Sequence, residues 1–259
     1  MVDFYDASNP IEIAEGVFHL GVQDQNNSFS NVPYLIVDGD EAAFIDPGSM
    51  KDDFFATVLR KVHAVVNPRK IKHLIVQHQD PDLCAALPFY EKISAPDVQI
   101  SCPLEAKVLM QHYGTKHSVH PLDDGDSITF GNGRSLVFSM TPYCHFVGAM
   151  VTYDTKTKTV FSSDAFGGFT SSNDLYAGED YPTQLSTFLG QYLGSKKALE
   201  YALKRLEKLN ETNGINLICP QHGCIIKKEQ IPMYLQAAHD LHVGGEVDAL
   251  AQKHGIQLD

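Results

Sequence analysis

The strand-like run Ile71–Val76 opens directly into QHQDPDLC, which sets His78, Asp80 and Asp82 at alternating positions. A short apolar run of this kind reads as a buried strand, and side chains at i, i+2 and i+4 project together while the backbone stays extended. A helix is expected to start just after them, near Leu83. One imidazole and two carboxylates so close together repel and desolvate one another unless positive charge sits among them, and a metal cation is the simplest such charge. A lone HxDxD also fits a polar turn, and Asp82 alone fits a helix N-cap. Residues far downstream weigh against those plainer readings.

Each of those residues sits where a strand gives way to a loop. His145 follows SLVFSMTPYC, Asp164 follows KTVFSS, and His222 follows LICPQ with Gly223 behind it. The set then holds His78, His145 and His222 with Asp80, Asp82 and Asp164. That is too many ligands for one tetrahedral ion and suits two ions sharing a bridging carboxylate.

The rest of the chain reads as an α/β layered domain. Strands are expected at 17–20, 34–37, 42–45, 71–76, 98–101, 127–130, 136–140, 150–153, 159–162 and 217–219. Helices are expected at 52–63, 83–92, 104–113 and 196–209, with a loop-rich stretch after Asp164 and helical segments at the C-terminus. Asp38-Gly39, Gly131-Asn132-Gly133 and the turn between Asp154 and Lys158 join strands as hairpins. No repeat, low-complexity tract or long linker divides the 259 residues, so one domain spanning 1–259 is expected. A net charge of −12 argues against a nucleic-acid partner. No apolar run is long enough for a membrane span. The acidic N-terminus lacks the features of a signal peptide, and five cysteines without paired spacing suit a reducing cytosol. A cytoplasmic location is expected.

At these residues the chain resembles the metallo-β-lactamase fold and, within it, the diiron domain of flavodiiron proteins. That family carries HxExDH, a distant His, a bridging Asp and a last His. The words YLIVDGDEAAFIDPG, PYCHFVGAMVTYDTKTKTVFSSDAFGGF and LICPQHG look like its strands and loops. The resemblance runs from about residue 15 to residue 240 and implies an αββα sandwich with a metal pair at one edge. It assigns His78, Asp80 and His145 to one ion, Asp82 and His222 to the other, and Asp164 to both. Asp46, in the IDPG turn, would tie the ligand loops together without being a ligand. Two departures stand out: Asp80 replaces the family's usual Glu, and Leu83 replaces its second His, leaving one ion a ligand short. The chain also ends without the family's flavodoxin-like domain, so it looks most like the flavin-less oxygen-binding diiron proteins linked to bacterial oxygen sensing and chemotaxis.

The donor set bears on the metal. Hydrolases of this fold use HxHxDH, whereas Asp80 here gives equal numbers of carboxylates and imidazoles; harder oxygen donors favour iron or manganese. Two iron ions are expected, with zinc and manganese as alternatives. Three functions follow from this reading: a dioxygen-binding sensor with a chemotaxis or signalling partner, a dioxygen or nitric oxide reductase fed by a rubredoxin-like donor, and a binuclear hydrolase. The first is preferred, and a homodimer is an open arrangement. Phe166, Phe169, Tyr176 and Tyr181 are expected either to cover the site as an apolar lid or to fill the core. Cys144, Cys219 and Cys224 flank ligands but read as small buried hydrophobes, and the other histidines as ordinary surface or core residues.

Overall fold

A computed structural model describes residue 6 and residues 8–24, 28–170 and 172–258. In chain order, β1 (Ile11–Ala14) and β2 (Val17–His19) form a hairpin, and β3 (Val22–Gln23) pairs with β4 (Ser30–Asn31). Then come β5 (Tyr34–Asp38), β6 (Glu41–Ile45), α1 (Asp52–Val65), β7 (Ile71–Ile75), α2 (Pro81–Cys84), α3 (Leu87–Ile93), β8 (Gln99–Pro103), α4 (Leu104–Met110) and β9 (Val119–Leu122). The second half adds β10 (Ser127–Thr129), β11 (Ser135–Met140), β12 (Met150–Asp154), β13 (Thr159–Ser163), α5 (Tyr181–Tyr192) and α6 (Lys196–Asn213). It closes with β14 (Leu217–Pro220), β15 (Ile226–Lys227), α7 (Ile231–His239) and α8 (Gly245–His254).

A seven-stranded sheet runs in the order β1-β2-β5-β6-β7-β8-β9, and a six-stranded sheet runs β10 to β15 in sequence order. Residue alternation explains the layers. In β5, Tyr34 and Ile36 face the other sheet while Leu35 faces the outer helices; in β6, Ala43 and Ile45 face inward while Ala42 and Phe44 face outward. The second sheet repeats the rule, with Phe161 and Cys219 inside and Val160 and Ile218 outside. Strands apolar on both faces must be covered on both. Val58 and Val62 of α1, Tyr90 of α3 and Met110 of α4 cover the first sheet. Leu185 and Phe188 of α5, Leu203 and Leu206 of α6, and Tyr234 of α7 cover the second. The result is the expected αββα sandwich. No helix among the described residues is long and apolar enough to cross a membrane.

Three local expectations need correction. The helix expected at 83–92 is two helices, α2 and α3. Pro88 lacks an N–H and restricts the residue before it, so it serves in the opening turn of a new helix rather than inside a long one. Second, α2 begins at Pro81, which places Asp82 in the first helical turn rather than ahead of it. Third, the loop-rich stretch contains α5. Its buried residues, Tyr181, Leu185, Phe188 and Leu189, follow helical spacing, and Pro182 lies in its first turn. Thr183, Ser186, Thr187 and Gly190 weaken the helical propensity that would have marked it.

Candidate metal centre

The parallel strands β6 and β7 of one sheet, and β13 and β14 of the other, deliver their C-terminal ends to one edge of the sandwich. His78 lies just beyond β7, Asp164 beyond β13 and His222 beyond β14, while His145 comes from the loop between β11 and β12. All six residues singled out in the sequence meet there. Asp164 is their centre. Its Oδ2 lies 3.2 Å from His78 Nε2 and 2.8 Å from His145 Nε2, while its Oδ1 lies 3.4 Å from His222 Nε2. Asp80 Oδ2 joins the first group, 3.3 Å from His145 and 3.6 Å from His78. Asp82 Oδ2 joins the second, 3.2 Å from His222. One carboxylate therefore faces two separate His/Asp clusters, one with each oxygen.

The floor of the site is buried and its rim is open. His78 is 0% exposed, His222 2% and Asp164 7%, whereas Asp80 and Asp82 are 33% and 29% exposed. Among the described residues, His78 Nε2 and Asp164 Oδ1 are buried without a hydrogen-bond partner. Orphaned buried polar atoms of this kind call for a partner, and a cation between them would supply one. His78, Asp80, His145 and Asp164 place their ligand atoms within 4.8 Å of one another. Neither carboxylate of the α2 segment is spent on capping: Asp80 holds the N-cap position without a side-chain cap bond, and Asp82 follows inside the turn. The N-cap alternative for Asp82 therefore does not hold.

Electrostatics agree with this reading. Burial alone would lower the imidazoles, but Asp164 and its neighbours outweigh it. They raise His145 to about 9 and His222 to about 10, and hold His78 well above the ordinary value. Burial would raise the Asp164 carboxyl, yet the surrounding imidazoles hold it well below the usual range. An environment that favours positive charge on three imidazoles is one that would also favour a cation among them.

Supporting contacts fix the rings. His78 Nδ1 meets Ser163 Oγ at 2.7 Å, and His222 Nδ1 meets the Ser30 carbonyl oxygen at 2.5 Å. Each leaves Nε2 turned into the site, as ligating histidines require. Both carboxylate oxygens of Asp46 are taken up by Gln77: Asp46 accepts from the Gln77 backbone N–H at 2.8 Å and from its side-chain amide at 2.9 Å. Gln77 Oε1 in turn accepts from Thr152 of β12 at 2.9 Å, so the His78 loop is tied to both sheets. Leu83 is fully buried, and its carbonyl accepts from Gly48 N–H at 2.7 Å. Neither Ser163 nor Ser30 is expected from the sequence. Ser163 has a visible cue, as the residue preceding Asp164, but Ser30 is remote from every ligand along the chain.

The four aromatics divide between the two expected places. Phe166 and Tyr181, the first residue of α5, are buried in the outer core of the second sheet, and Tyr176 packs at the rim of the core between the sheets. Of the four, Phe169 alone joins the rings around the site. Phe29 stacks 4.2 Å and Phe188 5.3 Å from His222, Tyr192 lies 5.7 Å from His145, and Phe169 bridges Phe29, Phe188 and Tyr192. Two of these rings come from α5, the helix that stands where a loop is expected. All five cysteines are buried and free. Burial pushes Cys144 and Cys224 up to about 12 and Cys219 well above the ordinary thiol value, which leaves them inert.

Gly223 has φ +88°, and a Cβ there would meet Tyr181 Oη at 2.5 Å and the Gly168 carbonyl at 2.8 Å. Gly223→Ala combines left-handed strain with a backbone clash and is expected to cost about 3 kcal/mol. A urea titration checks this; a loss under about 0.5 kcal/mol would show that the turn behind His222 is soft.

Residues 29–223 match the family described as "ODP family beta lactamase". A nitric oxide reductase of Moorella thermoacetica is 25% identical over 242 residues, covering 86% of this chain and 59% of that protein. An anaerobic nitric oxide reductase flavorubredoxin of Aeromonas hydrophila is 27% identical, covering 78% of this chain and 41% of the relative. The chain thus spans about half the length of these curated relatives. A structure described as a peroxy diiron species of the chemotaxis sensor ODP superposes with a TM-score of 0.77 at 22% identity, covering 93% of this chain and 99% of that one. The rubredoxin oxygen:oxidoreductase of Desulfovibrio gigas gives 0.79 at 21% identity, covering 89% and 61%.

Proposed function

The chain belongs to the ODP family of beta lactamases, and on that footing we propose that it is a non-haem diiron protein that binds dioxygen and reports it to a signalling partner. The observation that carries this reading is the division of Asp164 between the His78/Asp80/His145 and Asp82/His222 clusters. Two ferrous ions held there would supply the electrons and open coordination positions that dioxygen binding needs. Three carboxylates and three imidazoles suit iron in charge and hardness. Asp164, Asp80 and Asp82 offset the cationic charge, and Ser163 and the Ser30 carbonyl orient two imidazoles. Phe29, Phe169, Phe188 and Tyr192 limit water at the mouth. Leu83 supplies no donor beside Asp82, so an ion held by Asp82, Asp164 and His222 would have fewer protein ligands and room for an exogenous one.

Anaerobic, iron-reconstituted protein mixed with air-saturated buffer is expected to take up roughly one dioxygen per iron pair and then stop. Leu83→His should slow that uptake by filling the free position. The curated relatives named as nitric oxide reductases favour a second reading, reduction of dioxygen or nitric oxide. Sustained consumption at tens of turnovers per second, of the order ordinary enzymes reach, with a generic rubredoxin and its reductase would establish that reading instead. Hydrolysis is the remaining alternative. Esters, thioesters and β-lactams should turn over no faster than with a His78→Ala/His145→Ala control. A kcat/KM on the order of 10⁴ M⁻¹s⁻¹, as ordinary enzymes show, would make the protein a hydrolase.

A further inference from the structure

We propose that the outer face of α6 is a docking surface for an acidic helical segment of another protein. Lys197, Tyr201, Lys204 and Lys208 are exposed at i, i+4, i+7 and i+11, which puts them on one face of the helix. They form a stripe about 16 Å long. In a chain of net charge −12, such a concentration of positive charge is a local reversal of sign. The three lysines make no ion pair among the described residues. The cations and acids next to them are already engaged elsewhere. Arg205 holds Asp124 through two hydrogen bonds of 2.8 and 3.0 Å, and Glu200 and Glu207 turn to His239 of α7. Glu211, past Lys208, is the remaining exposed acid of the helix.

At the N-terminal end of the stripe lies a groove of 360 Å³, lined by Pro142, Tyr143, Ser195, Lys197, Ala198 and Tyr201. Tyr143 is 59% exposed and Tyr201 43%. An apolar groove beside a row of lysines complements a helix carrying one aromatic or large aliphatic anchor and carboxylates along the same side. The overall negative charge disfavours a nucleic acid or an anionic membrane, whose long-range fields act on the whole molecule. An acidic protein helix of limited length can instead answer the stripe alone.

The groove also reaches the candidate metal loop. Pro142 and Tyr143 belong to the segment that carries His145, which is closed by Thr141 N–H to the Ala149 carbonyl at 2.9 Å and Tyr143 N–H to the Phe146 carbonyl at 2.7 Å. A partner seated on Tyr143 therefore rests two residues from His145. This coupling, unlike the docking itself, rests on the diiron reading.

The test is a displayed library of random peptides, selected on the full chain with and without iron reconstitution. Enriched peptides should be acidic and carry an aromatic or large aliphatic residue, and should bind in both iron states. They should weaken at least tenfold, about 1.4 kcal/mol, on the variant Lys197→Glu/Lys204→Glu/Lys208→Glu. They should also weaken as salt rises. Tyr201→Ala should reduce binding without changing charge, which separates a built groove from diffuse attraction. Circular dichroism and melting confirm that the variants are folded. Neutral or basic consensus peptides, equal binding to the charge-reversed variant, no enrichment at all, or tighter binding to phosphatidylserine vesicles or duplex DNA would each overturn the proposal. Binding to the peptides with no iron uptake by the chain would leave the docking surface standing and sink the diiron reading.

Discussion

Asp164→Asn is expected to bind less than one iron per chain on reconstitution, where the parent protein is expected to take up about two. The two carboxylate oxygens are turned to opposite sides: Oδ2 faces His78 and His145, and Oδ1 faces His222. An amide keeps one acceptor oxygen but turns an N–H donor toward the other cluster, where a cation would have to sit. Loss at this position should therefore exceed loss at either flank. Ser163→Ala, which frees His78 Nδ1 from its 2.7 Å contact, should weaken metal binding only about tenfold. His120→Ala, on β9 and away from the site, should leave iron unchanged. Elemental analysis after anaerobic reconstitution reads all three. Two irons retained by the Asn variant would refute the bridging assignment, and stoichiometric zinc in protein from its native cell would refute iron.

The second large effect is on pH. In the metal-free protein His145 and His222 hold their protons up to about 9 and 10, because Asp164 and its neighbours outweigh burial. Their folded-state values lie above the ordinary 6.5. The stability they contribute is thus complete below pH 6.5 and is lost as pH rises through 9 to 10. A metal ion requires the same nitrogens unprotonated, so its binding strengthens over the same window and releases protons. Manganese(II), which avoids oxidation during the measurement, should raise the melting temperature by an increment that grows steadily from pH 6.5 to 9. Calorimetry in buffers of different ionisation enthalpy should record the released protons. A stabilisation that is flat or shrinking across that range would show that the imidazoles are not the ligands.

What is legible in the sequence is whatever local periodicity encodes. The unbroken apolar runs at 34–37 and 42–45 require strands covered on both faces, which gives a layered α/β domain; the αββα order is implied by the family resemblance and is seen only when the two sheets pack. Strand ends marked by His78, His145, Asp164 and His222 locate the site, because a polar residue straight after a buried strand has few places to go but the sheet edge. The amphipathic spacing of α5 is present in the sequence too, but residues of low helical propensity mask it.

Tertiary structure alone decides the rest. Which oxygen of Asp164 faces which histidine depends on the parallel pairing of β13 with β14 and on the meeting of two sheets, and no residue spacing encodes that. The carbonyl that orients His222 belongs to Ser30, 192 residues away. A backbone acceptor carries no side-chain signature, so only the packed chain reveals it. The same holds for Phe29 on His222 and Tyr192 beside His145. An aromatic residue reads alike in a sequence whether it fills a core or walls a site, and its role follows from what the fold sets against its ring.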